Sequence, residues 1–103
     1  MYKFIFFVPD SHVESVKEAL FSVGGGQIGS YSHCAWQVLG DGQFKPLPGS
    51  NPYSGTIDEV KKVPEWRVEM IIETALIQTA VNAMKSAHPY EVPAYDVIKL
   101  EAF

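Results

Sequence analysis

The chain has one cysteine, three histidines, no long apolar run and no cluster of basic residues. Each shortage removes a class of explanation. The single Cys34 cannot close an internal disulfide and offers no CxxC pair for zinc, which fits a reducing compartment, so any metal would fall to histidines and carboxylates. The longest apolar stretch, Phe4 to Val8, is far too short for a membrane span, and no charged and then apolar leader opens the chain; a cytoplasmic protein with no membrane partner is expected. Eight Lys and Arg stand singly against twelve Asp and Glu, a net charge of −4. No basic stripe is left to neutralise successive phosphates, so no nucleic-acid partner is expected. No serine sits in a G-x-S-x-G turn and no His-x-x-x-His pair falls on a helix, so no nucleophile, base and orienter assemble and catalysis is not expected.

What is present suffices for a fold. With 103 residues, 47% hydrophobic and 19% charged, the chain fits one globular domain spanning residues 1–103. Tyr2 to Val8 is aromatic and β-branched and ends at Pro9, which predicts a strand. Phe4, Phe6 and Val8 occupy one face, and Ile5 and Phe7 the other. Ser11 and Glu14 fit a capping box, Val13, Val16, Leu20 and Val23 recur at helical spacing, and Gly24 to Gly26 stop the helix, predicted over about 11–23. Alternation over Tyr31 to Leu39 predicts a second strand, with Cys34 a small core residue beside Trp36. Glycines and prolines between Gly40 and Gly55 mark a long excursion, with room for short strands around Phe44 and over 56–63. A third main strand is predicted over Trp66 to Glu73, with Val68, Met70 and Ile72 inward, ending at Thr74 as a helix cap. The second helix carries Leu76, Ile77, Ala80, Val81, Met84 and Ala87 on one side and ends at His88 because Pro89 follows. A last strand is predicted over Val92 to Leu100.

The order predicts an α+β domain, a ferredoxin-like βαββαβ sandwich with both helices on one face of a four-stranded antiparallel sheet. The other face would carry Ile5, Phe7, Ala35 and Ile71 or their opposite-face neighbours, and a partner subunit covering it would make the protein a homo-oligomer.

The glycine run Gly24 to Gly29 follows a helix, whereas a phosphate-cradling loop follows a strand, so it reads as a helix stop and turn. His33 and Cys34 are neighbours on an extended segment and point apart, so they cannot hold one ion together. The unusual cluster is His88-Pro89-Tyr90-Glu91 continuing through Pro93-Ala94-Tyr95-Asp96. Its residues either cap the helix and stiffen the turn, or turn His88 and Glu91 toward a pocket.

Four phrases together, Gly26-Gln27-Ile28-Gly29-Ser30-Tyr31-Ser32-His33-Cys34, Gly42-Gln43-Phe44-Lys45-Pro46, Asn51-Pro52-Tyr53-Ser54-Gly55 and His88 through Asp96, resemble the domain inserted into many bacterial members of the NGG-interacting-factor-three-like (YqfO-type) family. The resemblance spans essentially the whole chain. It implies a CutA- and PII-like domain, a fold that forms trimers in those proteins. The family's two-metal site lies on an outer domain flanking the insert, which this chain is expected to lack, so its hydrolase labels are not carried over. Where the family shows two successive glutamates, this chain has Glu91 and Val92.

The expectation is a small homo-oligomeric (trimer or dimer) binding or regulatory module with no resident cofactor, whose small-molecule site lies at a subunit interface or under the long loop. Its candidate residues are Gly26, Tyr31, His33, Phe44, Gly55, Glu69, His88, Tyr90 and Glu91. The alternatives are a divalent-metal tolerance protein resembling CutA, using His33, His88 and Glu91, and a structural docking module for a partner enzyme.

Overall fold

The computed structural model describes all 103 residues. Its elements run β1 (Tyr2–Pro9), α1 (Val13–Ser22), β2 (Trp36–Phe44), β3 (Lys61–Ile72), a 3-10 turn (Thr74–Leu76), α2 (Ile77–Ala87) and β4 (Tyr95–Lys99). The strands form one sheet in the order β2-β3-β1-β4, antiparallel throughout. This is the ferredoxin-like α+β arrangement expected from the pattern.

The core lies between the sheet and the helices. Phe4, Phe6 and Val8 of β1 and Val68, Met70 and Ile72 of β3 meet Val13, Val16 and Leu20 of α1 and Ala80, Val81 and Met84 of α2. These are the inward positions of two strands and the apolar stripes of two helices, so period 2 and period 3.6 converge on one core. Truncating Phe4, which has no exposed surface, would cost about 3–5 kcal/mol.

Several boundaries differ from expectation for local reasons. The first helix begins at Val13 with His12 at its cap position and no side-chain capping bond. Ser11 does not cap it, because its hydroxyl pairs with His12 Nδ1 at 2.7 Å. The second strand starts at Trp36, since Gly26 and Cys34 are joined backbone to backbone and hold the preceding segment against β3. Trp36 is 59% exposed, so Cys34 and Trp36 are not a core pair. The excursion holds no separate short strands; β2 and β3 continue as one ladder from Trp36–Glu69 to Phe44–Lys61.

That ladder carries the hairpin past the end of β1, where Pro9 pairs with Glu65. The molecule therefore measures 46 × 25 × 24 Å, with a radius of gyration of 14.5 Å, against about 13 Å for a compact chain of this length. The hairpin tip, residues 45–60, folds back over the end of the sheet.

The helix-free face is mixed. Trp36 and Val38 project there opposite Glu69 and Arg67, and Ile98 lies across from Lys3. Ile5 is only 3% exposed, because the salt-bridged Lys3, Glu69 and Arg67 side chains surround it. No helix of the chain is long and apolar enough to cross a membrane.

Candidate functional site

The site grows out of the way α2 ends. Pro89 forces His88 into extended geometry at φ −76°, ψ 137°, which turns its ring inward beneath β1. His88 is buried. Its Nε2 lies 2.7 Å from the Phe7 carbonyl oxygen, and the Tyr90 amide donates to its Nδ1 at 3.1 Å. A carbonyl can only accept and an amide N–H can only donate, so the proton sits on Nε2 and Nδ1 is bare. Burial lowers the imidazole below its ordinary 6.5, opposed by the Phe7 carbonyl and by Glu65 and reinforced by His12. The ring is a neutral clamp with both nitrogens committed. The Phe7 amide in turn donates to the Ala94 carbonyl at 3.2 Å, so segment 88–94 is pinned to one residue of β1 at both ends.

Between that segment and the folded-back hairpin tip lies a cleft of about 270 Å³. Phe44, Tyr53 and Tyr90 wall it, with ring centroids 6.2 Å apart for Phe44–Tyr90 and for Tyr53–Tyr90. Phe7 lies at the sheet side and Pro46 under the tip. Gly55, at φ +99°, brings the returning chain to van der Waals distance of the Phe44 ring, a conformation glycine supplies without strain.

Two carboxylates face this space, Glu65 and Glu91. Glu65 reaches it by crossing Gly42, where a Cβ would collide with its carboxylate. Glu91 Oε2 accepts the Asn51 amide at 2.8 Å, which ties the tip to the 88–94 segment. The Tyr90 hydroxyl is buried beside the Glu65 carboxylate, its one neighbouring acceptor, although the two do not meet in full hydrogen-bond geometry. Burial first, and then the neighbouring Glu65 carboxylate, hold its ionisation well above the usual phenol range. It is a neutral hydroxyl held behind the cleft wall next to Glu65.

Five of the nine residues singled out from sequence come together here. Phe44, Tyr90 and Glu91 line the cleft, and Gly55 and His88 shape it. The other four lie elsewhere. Gly26, at φ +72°, donates to the Ile71 carbonyl and accepts the Cys34 amide at 2.9 and 2.8 Å, which is a structural junction. Tyr31 is 75% exposed and its backbone bonds back to Ile28. His33 stacks on Phe21 with centroids 4.6 Å apart and approaches Glu18. Glu69 pairs with Lys3 and Arg67 on the open sheet face.

The proposed metal set of His33, His88 and Glu91 is not assembled. No three His, Cys, Asp or Glu groups converge in a way that could hold an ion, and His88 has no free nitrogen to give. Sequence reasoning missed Phe7, Tyr53 and Glu65. Glu65 falls between the segments expected over 56–63 and 66–73 and belongs to neither; an unbroken hairpin, the signal that would have placed it, is hidden by Pro64 within the strand.

No family model matches the chain. A curated relative, the GTP cyclohydrolase 1 type 2 homolog of Mycobacterium leprae, is 44% identical over 98 residues, which is 95% of this chain and 26% of the relative. The solved Bacillus cereus protein related to NIF3 superposes with a TM-score of 0.84 at 40% identity, over 98% of this chain and 26% of that one. The chain thus spans about a quarter of the length of these relatives. The PII-like protein CutA from Nostoc sp. PCC 7120 superposes with a TM-score of 0.65 at 19% identity, over 98% of this chain and 82% of that one, which shows a shared fold.

Proposed function

We propose, from the premise that this chain is a relative of one CutA- and PII-like domain of the NGG-interacting-factor-three-like (YqfO-type) proteins, that it works as a small cytoplasmic homo-oligomeric binding or regulatory module with no catalytic activity of its own. The observation that carries the reading is the cleft under residues 45–60, where the rings of Phe44, Tyr53 and Tyr90 gather beside the Glu65 and Glu91 carboxylates. Pockets of this size and make-up, mostly apolar with a few convergent polar groups, suit small ligands. The relatives' name refers to proteins of which this chain spans 26%, and their activity is not transferred to it.

The homo-oligomer is supported by the sheet face that no helix covers, where Trp36 is 59%, Ile98 48% and Val38 43% exposed. The accessible surface is 6490 Å², above the roughly 5,800 Å² of a typical monomer of this mass. Exposed apolar side chains on one face are what a second copy would bury.

Native mass spectrometry of protein purified without chelator tests both halves. An oligomer retaining a stoichiometric small molecule is the expected result. A retained metal ion would favour the divalent-cation alternative, an empty oligomer the docking module, and an empty monomer would overturn the reading.

A further inference from the structure

The cleft is defined as much by the charges it lacks as by the rings it has. No Lys, Arg or His is among the residues lining it. Arg67 does not line the cleft: it lies behind it, over the Phe7 ring at 5.9 Å and against Glu69, in a hollow that it shares with Phe7 and Glu65. His88 stands behind Tyr90 with both nitrogens bonded. Facing the space are the Glu65 and Glu91 carboxylates and the three rings of Phe44, Tyr53 and Tyr90.

Such a lining has a definite preference. An anionic ligand, a nucleotide included, would meet two carboxylates and no compensating cation, and like charges disfavour binding in a partly desolvated site. A cation would meet aromatic rings, whose negative faces attract positive charge. It would also meet acceptors for its N–H groups: Glu65 and the Glu91 oxygen not used by Asn51. A flat amidinium or guanidinium offers several N–H donors in one plane and stacks on rings, so it answers both features at once.

We propose that the cleft takes a small organic cation bearing a planar amidinium or guanidinium group, held between Tyr53, Tyr90 and Phe44 and hydrogen-bonded to Glu65 and Glu91. This rests on the reading of the cleft as a ligand site and adds the ligand's chemical class. The cation is a free molecule and not a side chain of a second copy, because Glu65 and Glu91 look into a hollow under the hairpin tip while the exposed apolar patch of Trp36 and Val38 lies farther along the sheet.

The test uses three probes of one shape and different charge, benzamidine, benzamide and benzoate, each titrated into the intact oligomer and followed by amide and aromatic NMR shifts. Benzamidine is expected to move the Phe44, Tyr53 and Tyr90 signals and to bind at least tenfold more tightly than benzoate. E65Q and E91Q are each expected to weaken it about tenfold without altering the fold. Benzoate or benzamide binding in the cleft as well as benzamidine would overturn the ligand class and leave the cleft as a ligand site. No shift with any probe would overturn both. Dissociation of the oligomer by benzamidine would assign the cleft to a Lys or Arg of a neighbouring copy and overturn the proposal.

Discussion

His88 Nε2 lies 2.7 Å from the carbonyl oxygen of Phe7, a residue 81 positions earlier in the chain. Phe7 sits in the central strand, paired with Arg67 of β3, and its ring forms the sheet side of the cleft. One imidazole therefore fixes the end of α2 to the middle of the sheet, and Tyr90, two residues on, receives its position from the same ring. The cleft's shape depends on this clamp although His88 does not line it.

The clamp gives stability a pH dependence of known sign. The imidazole is held below its ordinary 6.5 in the folded chain, chiefly by burial, so the unfolded chain binds more protons just below that value. Stability is then complete above about pH 6.5 and is lost as the pH falls through the lower folded value. Protonation also puts a proton on Nδ1, which removes the acceptor for the Tyr90 amide. Urea denaturation at pH 5 and pH 8 should show this loss in the natural protein and a smaller one in H88A. At pH 8, H88A should be less stable by about 1–3 kcal/mol because a buried carbonyl and amide lose their partner. Equal pH slopes in the two proteins would refute the assignment.

The sequence pattern made the core legible and left the cleft half legible. Phe4, Phe6 and Val8, and Val68, Met70 and Ile72, were readable because burial on one sheet face imposes strict alternation. The stop at His88 was readable because Pro89 restricts the residue before it. Tyr90 and Glu91 belonged to a visible phrase, whereas Glu65 and Phe7 join the site only through a register in which Pro9 meets Glu65. Pairing between residues so far apart leaves no local trace. His33 misled because a lone histidine carries no label, and its ring is occupied in stacking on Phe21.

Two glycines in one phrase should respond unequally to a methyl group. Gly26 and Gly29 both have positive φ, at +72° and +56°, so alanine at either adds roughly 1–2 kcal/mol of backbone strain. Only at Gly26 would the new Cβ also strike backbone, 2.7 Å from the Cys34 carbonyl oxygen; nothing lies within 4 Å of it at Gly29. G26A is expected to lower the thermal midpoint clearly more than G29A by calorimetry. Equal shifts would mean that the 26–34 junction yields freely.

The open sheet face provides a test of assembly that leaves the core untouched. Trp36 is 59% exposed and opposes Glu69, so W36E costs the isolated subunit little, within about 0.5 kcal/mol for a surface change. If a second copy covers this face, the new carboxylate is buried against Glu69, whose partners Lys3 and Arg67 are already engaged, and the oligomer should dissociate. Sedimentation velocity on the natural protein and W36E would show a shift to the monomer with unchanged far-UV circular dichroism. An oligomer unaffected by W36E would place the interface elsewhere.

Tyr90 offers the sharpest separation of packing from binding. Its ring packs between Phe44, Tyr53 and His88, and Y90F keeps that shape while removing a buried hydroxyl that makes no full hydrogen bond. Deleting an unsatisfied buried polar group is neutral or stabilising, whereas deleting one partner of a formed bond costs about 1–3 kcal/mol. Y90F should therefore unfold at the same temperature or slightly higher. A loss of more than about 1 kcal/mol would show instead that the hydroxyl donates to Glu65 in solution and holds that carboxylate in place. Benzamidine affinity should hold in Y90F, because the hydroxyl has no surface open to the cleft and the ring beside the ligand is kept.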